Sequence, residues 1–98
     1  MEQNETLFGI KRFINKIRFY SQSLASEELI NDQLTFDAIC YCLIMLNYCL
    51  DQLDKSTLKE LNLELLKENV NKAIKVGDYI NIEILDKLLI DIIPNITI

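Results

Sequence analysis

Leu34-Thr35-Phe36-Asp37-Ala38-Ile39-Cys40-Tyr41-Cys42-Leu43-Ile44-Met45-Leu46-Asn47-Tyr48-Cys49-Leu50-Asp51-Gln52-Leu53 decides the fold. Its polar residues are few and scattered (Thr35, Asp37, Asn47, Asp51 and Gln52), so the block reads as one long helix, apolar on nearly all sides. Such a helix has to be covered on nearly all sides. The whole chain has 98 residues, enough for one core and a handful of short companion helices, so part of the cover is expected from another subunit. The longest unbroken apolar run, residues 38–46, is well short of the roughly 18 residues that a bilayer span needs. No basic-then-apolar leader pattern opens the chain, and the expectation is a soluble, cytoplasmic protein without membrane attachment.

Working outward, Leu7, Ile10, Ile14 and Ile17 recur at helical spacing, widened by Phe13 and Tyr20, and predict a helix over 7–20. Ser26 followed by Glu27 and Glu28 has the chemistry of an N-cap with acids in the first turn, predicting a short helix through Ile30. Asn31 and Asp32 break the chain before the long block. Beyond it, Thr57 and Glu60 are spaced as a capping box, and Leu58, Leu61, Leu65, Val70 and Ala73 predict a helix over 58–75. Gly77 is placed as its C-cap and 78–81 as a turn. Ile82, Leu85, Leu89, Ile92 and Ile93 predict a last helix over 82–93, stopped by Pro94, with the alternating tail 95–98 packing across the body. The prediction is a single all-α domain over 1–98, an antiparallel bundle of four long helices plus one short helix.

Composition removes several functions. The chain has no histidine, which takes away the commonest general base, proton shuttle and metal ligand together. On a helix Cys40 and Cys42 point to nearly opposite sides, while Cys42 and Cys49 share a face with no third or fourth soft ligand, so the three read as small core residues rather than a zinc site or disulfide framework. Neither a metal nor a cofactor is expected. Glu60, Glu64 and Glu68 stand four apart with Lys67 and Lys72 close by, the pattern of a solvated helix face. The Asn-x-Thr triplets at Asn4 and Asn95 matter only in a secreted protein. The net charge of −5 is uneven: residues 1–20 carry four cations against two acids, for +2, and residues 21–98 carry six against thirteen, for −7. Such a body disfavours passive coating of nucleic acid and suits a protein partner.

Several blocks together resemble a known family. Asn31-Asp32-Gln33-Leu34-Thr35-Phe36-Asp37-Ala38-Ile39, followed by Leu43, Ile44, Met45 and Leu46, is similar to the second long helix of HepT-like proteins of the HEPN superfamily. Asp78-Tyr79-Ile80-Asn81-Ile82-Glu83-Ile84-Leu85, running to Asp91-Ile92-Ile93-Pro94, resembles that family's C-terminal helix and its exit, and Tyr20-Ser21 before Ser26-Glu27-Glu28 fits its first helix. The resemblance spans most of the chain. It implies a HEPN-like helical bundle, usually a homodimer, from a toxin–antitoxin or related defence module, encoded beside a nucleotidyltransferase that binds and neutralises it.

The family's ribonuclease motif is an Arg, a polar residue, a His four positions after that, and a Tyr two positions further on. Carried onto this sequence it falls on 70–77. Asn71 matches the polar position, whereas Val70 replaces the Arg, Lys75 the His and Gly77 the Tyr, with Tyr79 as the nearest tyrosine. The Pro-Trp loop that usually precedes the motif is also absent, residues 54–62 being short and without Trp. A chain without histidine cannot run the family's acid–base chemistry. The resemblance therefore implies a scaffold that kept binding and lost catalysis, with Phe36, Cys40, Tyr41, Leu43, Ile44, Asn47 and Tyr48 as the candidate dimer or partner surface. Two alternatives stand beside it: a ribonuclease toxin using Asn71, Lys75 and Tyr79, acting on RNA by a site unlike the family's, or a plain helical adaptor with a convergent pattern.

Overall fold

The structure, a computed structural model, describes residues 3–22, 31–74 and 80–97. It is all-α. Helix α1 spans Gln3–Ser21, α2 Gln33–Asp51, α3 Lys55–Glu60, α4 Glu64–Ala73 and α5 Ile82–Lys87. The path of α5 continues through a wide π-helical turn, Leu88–Ile92, into a tight 3-10 turn, Ile93–Asn95. No strand forms among the described residues; one antiparallel bridge joins Ile74 to Ile80 and brings α5 back beside α4. The expected short helix over 26–30, the C-cap at Gly77 and the first half of the turn over 78–81 lie outside the described residues.

Each helix start has a local cause. Asp32 accepts a hydrogen bond from the Thr35 amide at 3.2 Å and caps α2, so the predicted break at Asn31 and Asp32 is also the start signal. Asn81 does the same for α5, accepting from the Ile84 amide at 3.3 Å.

The helix predicted over 58–75 forms as two. Asp54, not Thr57, is the cap: its carboxylate accepts from the Thr57 amide at 2.8 Å and from the Ser56 hydroxyl at 2.9 Å, so α3 starts at Lys55 and Thr57 lies buried in its first turn. These contacts hold the Asp54 carboxyl below the usual carboxylate range, the Thr57 amide being the largest cause. The chain then breaks at Asn62, whose φ of 57° is the left-handed region that asparagine tolerates better than most residues. The break shifts the phase of the apolar face. Leu58, Leu63, Leu66, Val70 and Ala73 are buried, while Leu65, expected on the core stripe, is exposed. It also divides the glutamate row, leaving Glu60 on α3 and Glu64 and Glu68 on α4. Asn62→Gly is expected to leave stability unchanged or raise it by a few tenths of a kcal/mol, and Asn62→Val to lower it by about 1–2 kcal/mol, read by urea denaturation.

The core lies between α1, α2, α4 and the C-terminal helical path. Ile10, Ile14 and Ile17 face Ile39, Leu43, Leu46 and Leu50, with Leu63, Leu66, Leu88 and Ile93 closing the far side. Burying each such side chain contributes roughly 1.5–3 kcal/mol. Helices α1 and α2 run antiparallel and close together: a methyl group added at Gly9 would meet the Cys49 sulfur at 3.1 Å, so the missing side chain sets their spacing. Cys42 and Cys49 are buried and Cys40 is half-buried, all three reduced, as small packing residues.

The tail is clamped. Arg18 on α1 donates from one guanidinium nitrogen to the carbonyls of Ile93 and Ile96, both at 2.8 Å, and Ile96 packs against the core. Pro94 sits within the tight turn instead of ending the helix before it. By length and composition α2 is apolar enough to cross a bilayer, with a mean hydropathy of 1.4, because scattered polar residues shorten its apolar runs without lowering the average much. In this fold its inner side is taken up by α1 and α4.

Candidate functional site

Helix α2 turns its inner side to the core through Ile39, Cys42, Leu43, Leu46, Cys49 and Leu50. The opposite side is the unusual one. Tyr41, Ile44 and Tyr48 are 60%, 50% and 54% exposed, and Leu34 at the start of the helix is more exposed still. Spacings of three and four put Asp37, Tyr41, Ile44, Tyr48 and Asp51 in one line, an apolar stripe with an exposed carboxylate at each end. Of the surface predicted from sequence, Tyr41, Ile44 and Tyr48 are exposed, and Phe36, Cys40 and Asn47 lie half-buried along its edge. Leu43 is not part of it. It is fully buried, because a helical turn carries it with Ile39, Leu46 and Leu50 to the core side.

The neighbouring helix adds residues that the sequence reading did not single out. Phe8, Lys11, Arg12, Asn15, Lys16, Phe19 and Tyr20 line an open groove of about 680 Å³ on α1. Phe8 and Phe19 are each about two-thirds exposed, and the Phe19 and Tyr20 rings meet edge to face at 5.8 Å. Lys11, Arg12 and Lys16 form no ion pair among the described residues; the Arg12 guanidinium stands 6.0 Å from the Phe13 ring centroid. The signal was in the sequence: Phe8, Arg12, Asn15 and Phe19 repeat at helical spacing directly opposite Ile10, Ile14 and Ile17.

Of the positions onto which the HepT-like motif is carried, the structure describes two. Val70, at the Arg position, is fully buried on α4, whereas Asn71 beside it is exposed. Lys75, Gly77 and Tyr79 lie outside the described residues. Asn71 lines an open groove with Lys55, Leu58, Glu64, Lys67, Glu68 and Lys72. Two of its lysines are already matched, Lys72 to Glu68 at 2.9 Å and Lys67 to Asp51 at 3.6 Å, and Lys72 holds the Glu68 carboxyl below the usual range. No group of three His, Cys, Asp or Glu side chains among the described residues could hold a metal ion.

Burial pushes the Cys40 thiol up to about 11, helped by the Asp37 charge; Cys42 and Cys49 are raised by burial too, Lys16 partly offsetting the shift at Cys42. A raised thiol favours the folded state only while it stays protonated. Stability is therefore full below pH of about 8.5, where unfolded thiols begin to ionise, and falls as pH rises toward 11. Thermal melts at pH 7, 9 and 10.5 should show this loss, reduced in Cys40→Ser; a flat profile would contradict it.

Comparison with protein-family models, curated proteins and solved structures finds no match to this chain.

Proposed function

We propose that this chain is a HepT-like protein of the HEPN superfamily that acts in a toxin–antitoxin or related defence module by binding instead of by cutting RNA. It works in the cytoplasm as a homodimer that engages a nucleotidyltransferase-type partner. The observation that carries the reading is the exposed Tyr41, Ile44 and Tyr48 stripe on a helix whose other side is already full. Contiguous aromatic and aliphatic exposure of this kind is the usual mark of a protein contact, tyrosine being enriched at interfaces. The buried Val70 adds to it: a helix that faces the core at the position of a catalytic arginine has given that position to packing.

Titration of the purified chain with the product of the adjacent open reading frame, expected to be a nucleotidyltransferase, tests the reading. A saturable complex is expected, together with no cleavage of single-stranded RNA by the chain alone. RNA cleavage that disappears in Asn71→Ala would replace it with the ribonuclease reading, which the exposure of Asn71 beside Lys55 favours.

A further inference from the structure

We propose that the outer face of the α1–α2 hairpin docks a second copy of this chain, α1 of each copy lying along α2 of the other about a two-fold axis parallel to the helices. The inference rests on the homodimer half of the proposed function and assigns its surface and geometry.

Both halves of the contact sit side by side on one chain. Gly9 lies against Cys49, and Lys16 is close enough to Cys42 to act on its thiol, so each step along α1 is matched by one step back along α2. The α1 stripe has aromatic ends, Phe8 and Phe19, and a cationic middle in Lys11, Arg12 and Lys16. The α2 stripe has acidic ends, Asp37 and Asp51, and an apolar middle in Tyr41, Ile44 and Tyr48. Asp51 also stands near Lys67, and Asp37 near the Cys40 thiol.

Charge chooses the axis. A two-fold perpendicular to the helices would lay α1 on α1 and α2 on α2. Lys11 would then face the other copy's Lys16, and Asp37 the other copy's Asp51, and such like-charge pairs are destabilising. The parallel axis avoids both. It carries Arg12 to the level of residue 46 and Lys16 to that of residue 42 on the other copy, each within a turn of Tyr48 and Tyr41. There a cation over a tyrosine face is favourable. The two 19-residue helices offer a flat footprint of roughly 28 by 20 Å, about 560 Å² per partner, at the lower end of specific interfaces, for which ~800 Å² is standard.

The test uses two full-length variants, Asn15→Cys and Ile44→Cys, one carrying a mass tag. Both positions are on the surface, and at neutral pH the native thiols are protonated and slow to react. A short bismaleimide should link the two variants when they are mixed and neither variant when alone. Links within each variant alone would place like helix on like helix and overturn the geometry. No link in any sample would overturn self-docking on this face. Arg12→Glu should raise the dimer Kd by about tenfold or more; an unchanged Kd would also overturn it. Titration with the nucleotidyltransferase separates the two levels: a complex formed by a chain that does not self-associate ends this inference and leaves the binding reading standing.

Discussion

Val70→Arg is expected to destabilise the chain by about 3–5 kcal/mol, a large part of the 5–15 kcal/mol available to a domain, and to confer no ribonuclease activity. The position is closed to water: Val70 is at 0% exposure in the core cluster with Leu66 and Ala73. A guanidinium there is both an unpaired buried charge and an overfilled site. The control is Asn71→Arg one residue on, at an exposed position, which should change stability by less than about 0.5 kcal/mol. Urea denaturation of both variants reads the difference directly. Equal midpoints for Val70→Arg and the parent chain would mean that α4 turns another side to the core. Position 70 would then be open to solvent.

Arg18→Ala should cost about 2–4 kcal/mol. Its guanidinium serves two carbonyls at the chain's end, Ile93 and Ile96, across a sequence separation of more than seventy residues. Hydrogen bonds from a charged donor contribute about 1.5–3 kcal/mol each, and partial rehydration of the freed carbonyls trims the sum. Arg18→Lys should recover part of the loss, since one ammonium can reach one or both oxygens but without the planar geometry of the guanidinium. Denaturation midpoints give the magnitude, and amide exchange at Ile96, whose N–H donates to the Ile93 carbonyl at 3.2 Å, gives the location. A loss of stability without faster exchange at Ile96 would place the effect elsewhere than the tail.

Much of the fold was legible because α1 and α2 carry long, uninterrupted periods. Ile10, Ile14 and Ile17 state one face of α1, and Asp32 announces α2 by its side-chain chemistry. The division into α3 and α4 was hidden by one residue. Asn62 can occupy the left-handed region, but nothing in its neighbours distinguishes that use from a helical asparagine, and both phases can be fitted to Leu58, Leu61 and Leu65. The cap of α3 was misplaced for a related reason: Asp54 and Thr57 are both good caps three residues apart, and the carboxylate takes the amide first. At the surface, the excess of apolar residues in α2 was readable as a number, but which of them face outward depends on the direction in which α1 and α4 approach. That direction sends Leu43 inward with Ile39 and leaves Tyr41 and Ile44 outside. Phe8 and Phe19 escape a reading of α1 that follows the core period of Ile10, Ile14 and Ile17, because they lie on the opposite side among Lys11, Arg12 and Asn15.

The proposed function depends most on whether the exposed face is covered by another molecule in solution. The most direct measurement is the mass of the purified chain by light scattering at micromolar concentration, alone and then mixed with the product of the adjacent open reading frame. The binding reading predicts a species at twice the 11.4 kDa of one chain, and a larger complex on mixing. A particle of 11.4 kDa that stays unchanged in the mixture would contradict it.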